Sequence, residues 1–135
     1  TARPTGYDDI DDTLESIQNQ LHIVQADFAN PDPDEDDPAV TAAHVESLED
    51  AIDEAEAELD PLESFILPGG SEAGATLHHA RAVTRRAERR SVALAADEPV
   101  NGEAIRYLNR LSDGLFVLAR LVNARDDVPE ESPTY

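Results

Sequence analysis

The chain has 135 residues, 40% of them apolar, and sets 30 Asp and Glu against 10 basic residues for a net charge of −20, with no cysteine. That length suits one domain around a single core, and the apolar content excludes a disordered acidic tail. The net charge argues against nucleic acid as a partner, and the missing cysteine excludes disulfides, thiolate metal sites and a cysteine nucleophile.

In chain order, the start Thr1-Ala2-Arg3-Pro4-Thr5-Gly6 has neither a signal-peptide apolar run nor an initiator methionine. This predicts a chain that begins partway into a longer gene product. No stretch approaches the roughly 18 apolar residues of a membrane span, so a cytoplasmic protein with no membrane partner is expected.

Ile10, Leu14, Ile17, Leu21, Val24 and Phe28 step by three or four residues, which predicts a first helix with one apolar stripe. Asp8 and Asp9 suit its positive end, and it must stop before Asn30-Pro31. The acidic, proline-rich run 31–38 reads as a solvated loop, because it lacks the glycine and ligand spacing of a calcium loop. A second helix carries Val45, Leu48, Ile52, Ala55 and Leu59 on one face, with Pro61 closing it. Phe65-Ile66-Leu67 then leads into Pro68-Gly69-Gly70-Ser71.

A third helix is predicted over Glu72 to Ala95 and a fourth over Gly102 to Arg125. Ala73, Leu77, Ala80, Thr84, Ala87, Ser91 and Leu94 give the third a small-residue packing face. The fourth packs through Ile105, Leu108, Ser112, Leu115, Ala119 and Val122. Beside that face, Arg106, Asn109, Asp113 and Arg120 form a polar stripe, either a solvent boundary or the wall of a pocket. The acidic tail 126–135 should fray. No strand pattern or repeat is present, so residues 1–135 are expected to form a single all-α domain, an antiparallel helix bundle.

The basic residues are unevenly placed. All ten are arginine, none lies between Pro4 and Ala80 where 21 acids occur, and five then fall between Arg81 and Arg90. Arg81, Arg85 and Glu88 share one edge of the third helix, with His78 and Arg89 beside them and Arg86 and Arg90 farther round. Most charge runs are solvated faces. Here the clustering after a Gly-Gly turn points to an anionic ligand, and a polyphosphate suits the planar, permanently charged guanidinium fork. Acids of a neighbouring subunit remain an alternative use for some of them. An acidic, lysine-free surface also resembles adaptation to high salt, where screening removes self-repulsion.

Three blocks of sequence, 65–71, 77–90 and 107–120, closely resemble the PduO-type ATP:cob(I)alamin adenosyltransferases. They comprise Phe65-Ile66-Leu67-Pro68-Gly69-Gly70-Ser71, the helix from Leu77-His78-His79 through Arg85-Arg86-Ala87-Glu88, and Tyr107-Leu108-Asn109 through Ala119-Arg120. The segment ending Phe28-Ala29-Asn30-Pro31 is similar to the family's helix before its variable loop. The resemblance implies a five-helix bundle, of which four helices are present, assembled as a homotrimer. It implies that the 5′-deoxyadenosyl group of ATP, held with Mg, passes to Co(I) of cobalamin with release of triphosphate. A corrinoid reductase and an adenosylcobalamin-dependent enzyme are the partners it suggests.

By position, the resemblance gives Arg85 the polyphosphate, with Arg86 supporting the same region. Arg81 faces the corrinoid and pairs with an aspartate of the neighbouring subunit. Glu88 orients these arginines, Asn109 bonds the nucleoside, and Phe65 fills the space under the corrin ring. On spacing alone Phe65 reads as an ordinary core aromatic. Gly69, Gly70 and Asp113 are expected to be structural or interface residues. The family's glycine- and threonine-rich phosphate loop and first helix have no counterpart in this sequence. Gly114 stands where relatives often carry a larger residue, which implies looser packing. The competing expectations are a non-catalytic acidic bundle acting as a corrinoid carrier or nucleotide-binding scaffold, and an anion sensor.

Overall fold

The computed structural model describes residues 6–30, 37–59 and 72–126. Four helices account for nearly all of them: α1 Asp8–Ala29, α2 Ala42–Glu56, α3 Glu72–Ala95 and α4 Gly102–Arg125, with no strand among the described residues. The apolar stripe of α1 is buried at Ile10, Leu14, Ile17 and Val24, while Leu21 and Phe28 are half-buried against the core. Asn30 caps α1 immediately before Pro31, as the proline rule requires. α2 ends earlier than expected: its helical run stops at Glu56, before Pro61, so Pro61 does not terminate it.

Polar knots at the two ends set the helix directions. At one end Asp27 Oδ2 accepts from Val40 N and from Asn101 Nδ2, both at 2.7 Å. The same amide donates to Val40 O at 2.8 Å, and Asn101 Oδ1 caps α4 by accepting from Glu103 N at 3.0 Å. One buried carboxylate thus joins the end of α1 to the segment before α2 and to the start of α4.

At the other end Arg125 bonds Asp9 at 2.8 and 2.9 Å and Glu58 at 2.7 and 2.8 Å. Its guanidinium also lies 5.1 Å from the Tyr7 ring centroid, and Tyr7 Oη donates to Asp126 Oδ1 at 2.6 Å. Hydrogen bonds from Arg125 hold the Asp9 and Glu58 carboxyls below the usual carboxylate range. α1 is therefore antiparallel to α2 and α4. α3 is antiparallel to α4 as well, because Gly74 abuts Asn123 while Glu88 meets Asn109.

α4 is the centre of the bundle, packed against all three other helices and most extensively against α3. It buries far more than the single face that its period suggested. Tyr107, Leu111, Gly114, Val117, Leu118 and Leu121 are enclosed along with Leu108, Ser112, Leu115, Ala119 and Val122, leaving Ile105 half-buried. From Gly114 to Asn123 every residue but half-buried Phe116 is buried, as suits a helix at the centre of a bundle. Arg120, assigned to the polar stripe, is in fact buried at 7% exposure. The expectation about Gly114 is also corrected. A Cβ there would lie 2.9 Å from Ile52 Cγ1, so the glycine permits close packing of α2 on α4 rather than loosening it.

The packing face of α3 is buried at Leu77 and half-buried at Ala73, Ala80, Thr84, Ala87 and Ser91. Thr84 and Ser91 donate to the carbonyls of Ala80 and Ala87 at 2.8 Å, so their hydroxyls sit on an apolar face without an unmet bond. Leu94, expected on that face, is exposed together with Val83 and Val92.

A chain with net charge −20 repels itself, and the Debye length grows from about 3 Å at 1 M salt to about 30 Å at 0.01 M. Dilution from molar KCl into 10 mM salt is therefore expected to lower the melting temperature. The knot at Arg125 strengthens as screening falls, but it joins one cation to two of 30 acids. A melting temperature independent of salt between these limits would contradict the high-salt interpretation.

Candidate functional site

The arginine face of α3 meets α4 along one seam. Asn109 Nδ2 donates to Glu88 Oε2 at 2.9 Å, linking the two helices. Farther along, the Arg81 guanidinium stacks on Phe116, with Cζ 5.0 Å from the ring centroid. His78 meets the same ring edge-on, at 5.8 Å between centroids and 63° between planes. The helical period places Arg85 between Arg81 and Glu88 on this edge, exposed to solvent.

The charges here are uncommitted. Arg106 pairs with Glu49 and Glu103, Arg110 with Asp113, and Arg125 with Asp9 and Glu58. Among the described residues, no carboxylate pairs with Arg81, Arg85, Arg86, Arg89 or Arg90. Arg81 Nε and His78 Nδ1 are buried without a hydrogen-bond partner. Buried polar atoms are nearly always paired, so two such atoms on one seam are unusual.

Of the expected site residues, Arg81, Arg85, Glu88 and Asn109 come together. Arg86 lies on a different side of α3, where it lines an apolar groove of about 440 Å³ with Phe28, Val83, Ala87, Arg90 and Leu94. Asp113 is exposed, forms an ion pair with Arg110, and lines a groove of about 360 Å³ between α2 and α4. Phe116 forms part of that groove's wall. Phe65, Gly69 and Gly70 lie outside the described residues. The described residues contain no group of three or more His, Asp or Glu side chains disposed to hold a metal ion.

Two residues were missed, His78 as a buried member of the seam and Phe116 altogether. A signal existed for Phe116: it follows Asn109 by seven positions and so lies on the same side of α4.

The profile of the cobalamin adenosyltransferase family matches residues 1–122. This chain belongs to that family. It is 45% identical over 123 residues to the corrinoid adenosyltransferase of Bacillus subtilis, a match covering 91% of this chain and 63% of that protein. It is 47% identical over 110 residues to the corrinoid adenosyltransferase PduO of Salmonella typhimurium, covering 79% of this chain and 32% of that one. The chain thus spans less than two thirds of the length of either curated relative.

The fold agrees with solved structures of the family. A variant PduO-type ATP:corrinoid adenosyltransferase from Lactobacillus reuteri, complexed with cobalamin and ATP, superposes with a TM-score of 0.82 and 35% identity over 89% of this chain and 66% of that one. Another variant PduO-type enzyme from that organism, complexed with ATP, gives 0.80 and 34% over 90% of this chain and 69% of that one. The expected all-α bundle is thereby borne out.

Burial, and secondarily the neighbouring Arg81 charge, push the His78 pKa below its ordinary 6.5. The folded state therefore resists a proton that the unfolded chain accepts. His78's contribution to stability is complete above about pH 6.5 and is lost as pH falls through the window below it. The melting-temperature advantage of the native protein over His78→Gln should narrow between pH 7 and pH 5. A gap that stays constant over that range would contradict this. Asp9 and Glu58 act lower, below about pH 4.

Proposed function

We propose that this chain transfers the 5′-deoxyadenosyl group of ATP to the Co(I) centre of a corrinoid, giving an adenosylcorrinoid and triphosphate. Co(I) supplies the electron pair that forms the Co–C5′ bond, the C5′–O bond breaks, and triphosphate leaves with the bonding electrons of that broken C5′–O bond. The metal is the attacking atom of a substrate, so the protein's task is to position, neutralise charge and exclude water. The observation that carries this proposal is the arginine face of α3, which no carboxylate pairs among the described residues, in a chain similar to a PduO-type enzyme complexed with cobalamin and ATP.

In this proposal Arg85 holds the polyphosphate and Arg86 supports it from the adjoining groove. Asn109, held by Glu88, bonds the nucleoside. Arg81 faces the corrinoid and donates to a carboxylate of a neighbouring subunit, and Phe65 excludes the lower axial ligand. Magnesium carried on the ATP phosphates would share their neutralisation. The proposal includes a homotrimer, for which the exposed Val83, Val92 and Leu94 of α3 offer an apolar contact surface. It also places the chain in a high-salt cytoplasm, supplied with Co(I) by a corrinoid reductase and relieved of product by an adenosylcobalamin-dependent enzyme. No described helix is long and apolar enough to cross a membrane.

The test is incubation with chemically reduced cobalamin and ATP in molar salt, followed by the absorbance change that marks Co–C bond formation. Product that needs both substrates is the expected result. Tight corrinoid binding without ATP-dependent product would favour the carrier alternative, and nucleotide binding indifferent to corrinoid would favour an anion sensor.

A further inference from the structure

Arg81 is held unlike the ion-paired arginines of the fold. In a chain with 30 carboxylates, long flexible cations are readily captured, as Arg106, Arg110 and Arg125 are. Arg125 also stacks on an aromatic ring, but its N–H groups are committed to Asp9 and Glu58. Arg81 stacks on Phe116 with no carboxylate partner among the described residues, and its Nε is buried and unbonded.

An aromatic face attracts a guanidinium through its quadrupole and leaves the N–H edge free, whereas an ion pair occupies that edge. The ring itself is held in turn: His78, buried at 7% exposure, contacts it edge-on in the T-shaped geometry that aromatic pairs prefer. A neutral imidazole serves here, because a second cation beside Arg81 would repel it.

We propose that Phe116 and His78 are positioning residues that hold Arg81 by its π face, keeping its N–H edge free to donate to an oxyanion at the adenosyl-transfer site. The identity of the oxyanion rests on the function proposed above; the aromatic seat does not. Aromatic residues are only 4% of this chain, so a phenylalanine under a cation is a scarce resource placed with effect.

The direct test is water exchange of the arginine Nε–H protons, measured by NMR on the chain in molar salt. The Arg81 proton is expected to exchange at least about tenfold more slowly than that of exposed Arg85. Phe116→Leu, which keeps an apolar side chain but removes the ring, should abolish the difference, and Phe116→Tyr should retain it. Equal exchange of Arg81 and Arg85 in the native protein would overturn the proposal, as would protection that survives in folded Phe116→Leu. Should the leucine variant not fold, the native comparison and the tyrosine variant still decide.

A kinetic arm separates positioning from bulk packing. Phe116→Leu should lower kcat for adenosyl transfer about tenfold with KM for ATP within about twofold, and Phe116→Tyr should restore kcat to within about threefold. Equal losses in both variants would count against the seat. Absence of transfer by the native chain would overturn the proposed function, while the exchange measurement would still judge the seat.

Discussion

Replacing Arg85 with alanine is expected to lower kcat/KM for ATP about 100-fold while leaving helix content and melting temperature unchanged. The magnitude follows from charge-assisted hydrogen bonds to phosphate, worth about 1.5–3 kcal/mol, where 1.36 kcal/mol is tenfold in rate. Selectivity for function over folding follows from the side chain's surroundings. Arg85 is exposed, lies off the packing face of α3, and has no hydrogen bond or ion pair among the described residues. Alanine is also the strongest helix former, so the helix loses nothing locally. Arg85→Lys keeps the charge but not the planar fork and should recover only part of the loss. A lower melting temperature in Arg85→Ala, or unchanged ATP use, would contradict this role.

The largest effect on stability is expected at Asp27. Asp27→Ala should cost about 3 kcal/mol, near 10 °C in melting temperature for a domain of this size. The carboxylate is buried and accepts from Val40 N and Asn101 Nδ2, so alanine strands the buried Val40 N–H and removes one of the two bonds that hold the half-buried Asn101 amide. Relief of the carboxylate's own desolvation offsets part of that, which is why the figure is not larger. The consequence reaches the site, because Asn101 caps α4 two turns before Asn109 and sets that helix's start. Chemical denaturation checks the value. A loss below about 1 kcal/mol would show that water replaces the carboxylate in the knot.

Helix existence and bounds were legible because periodicity and caps are local. α3 and α4 start and end at the residues their patterns indicated, and Asn30 stops α1 as the following proline requires. The centrality of α4 was less legible. The period marks a single apolar face, although Leu111, Val117, Leu118 and Leu121 fill the other sides. Arg120 is illegible for the same reason: its charge points to a solvent boundary, while the neighbours that bury it come from the docked helices.

Glycines at close approaches were illegible in principle. The contact of Gly114 with Ile52 and of Gly74 with Asn123 depends on which helices meet. The knot of Asp9, Glu58 and Arg125 is likewise a tertiary fact, drawn from three remote stretches. At the site, the arginine cluster was conspicuous in the sequence, and Glu88 and Asn109 were picked out through the family resemblance. The contact among Phe116, His78 and Arg81 was not, because spacing sets His78 beside the arginines and Phe116 on the Asn109 side of α4 without showing that these two sides meet.

A single-turnover experiment addresses the site most directly: protein, ATP and cob(I)alamin are mixed in molar salt, and adenosylcorrinoid and triphosphate are quantified together. Equal amounts of both products, formed by the native chain and strongly reduced in Arg85→Ala, are predicted. Triphosphate or phosphate released without a Co–C bond, or no adenosylcorrinoid from a folded protein that binds both substrates, would contradict adenosyl transfer at the α3–α4 seam.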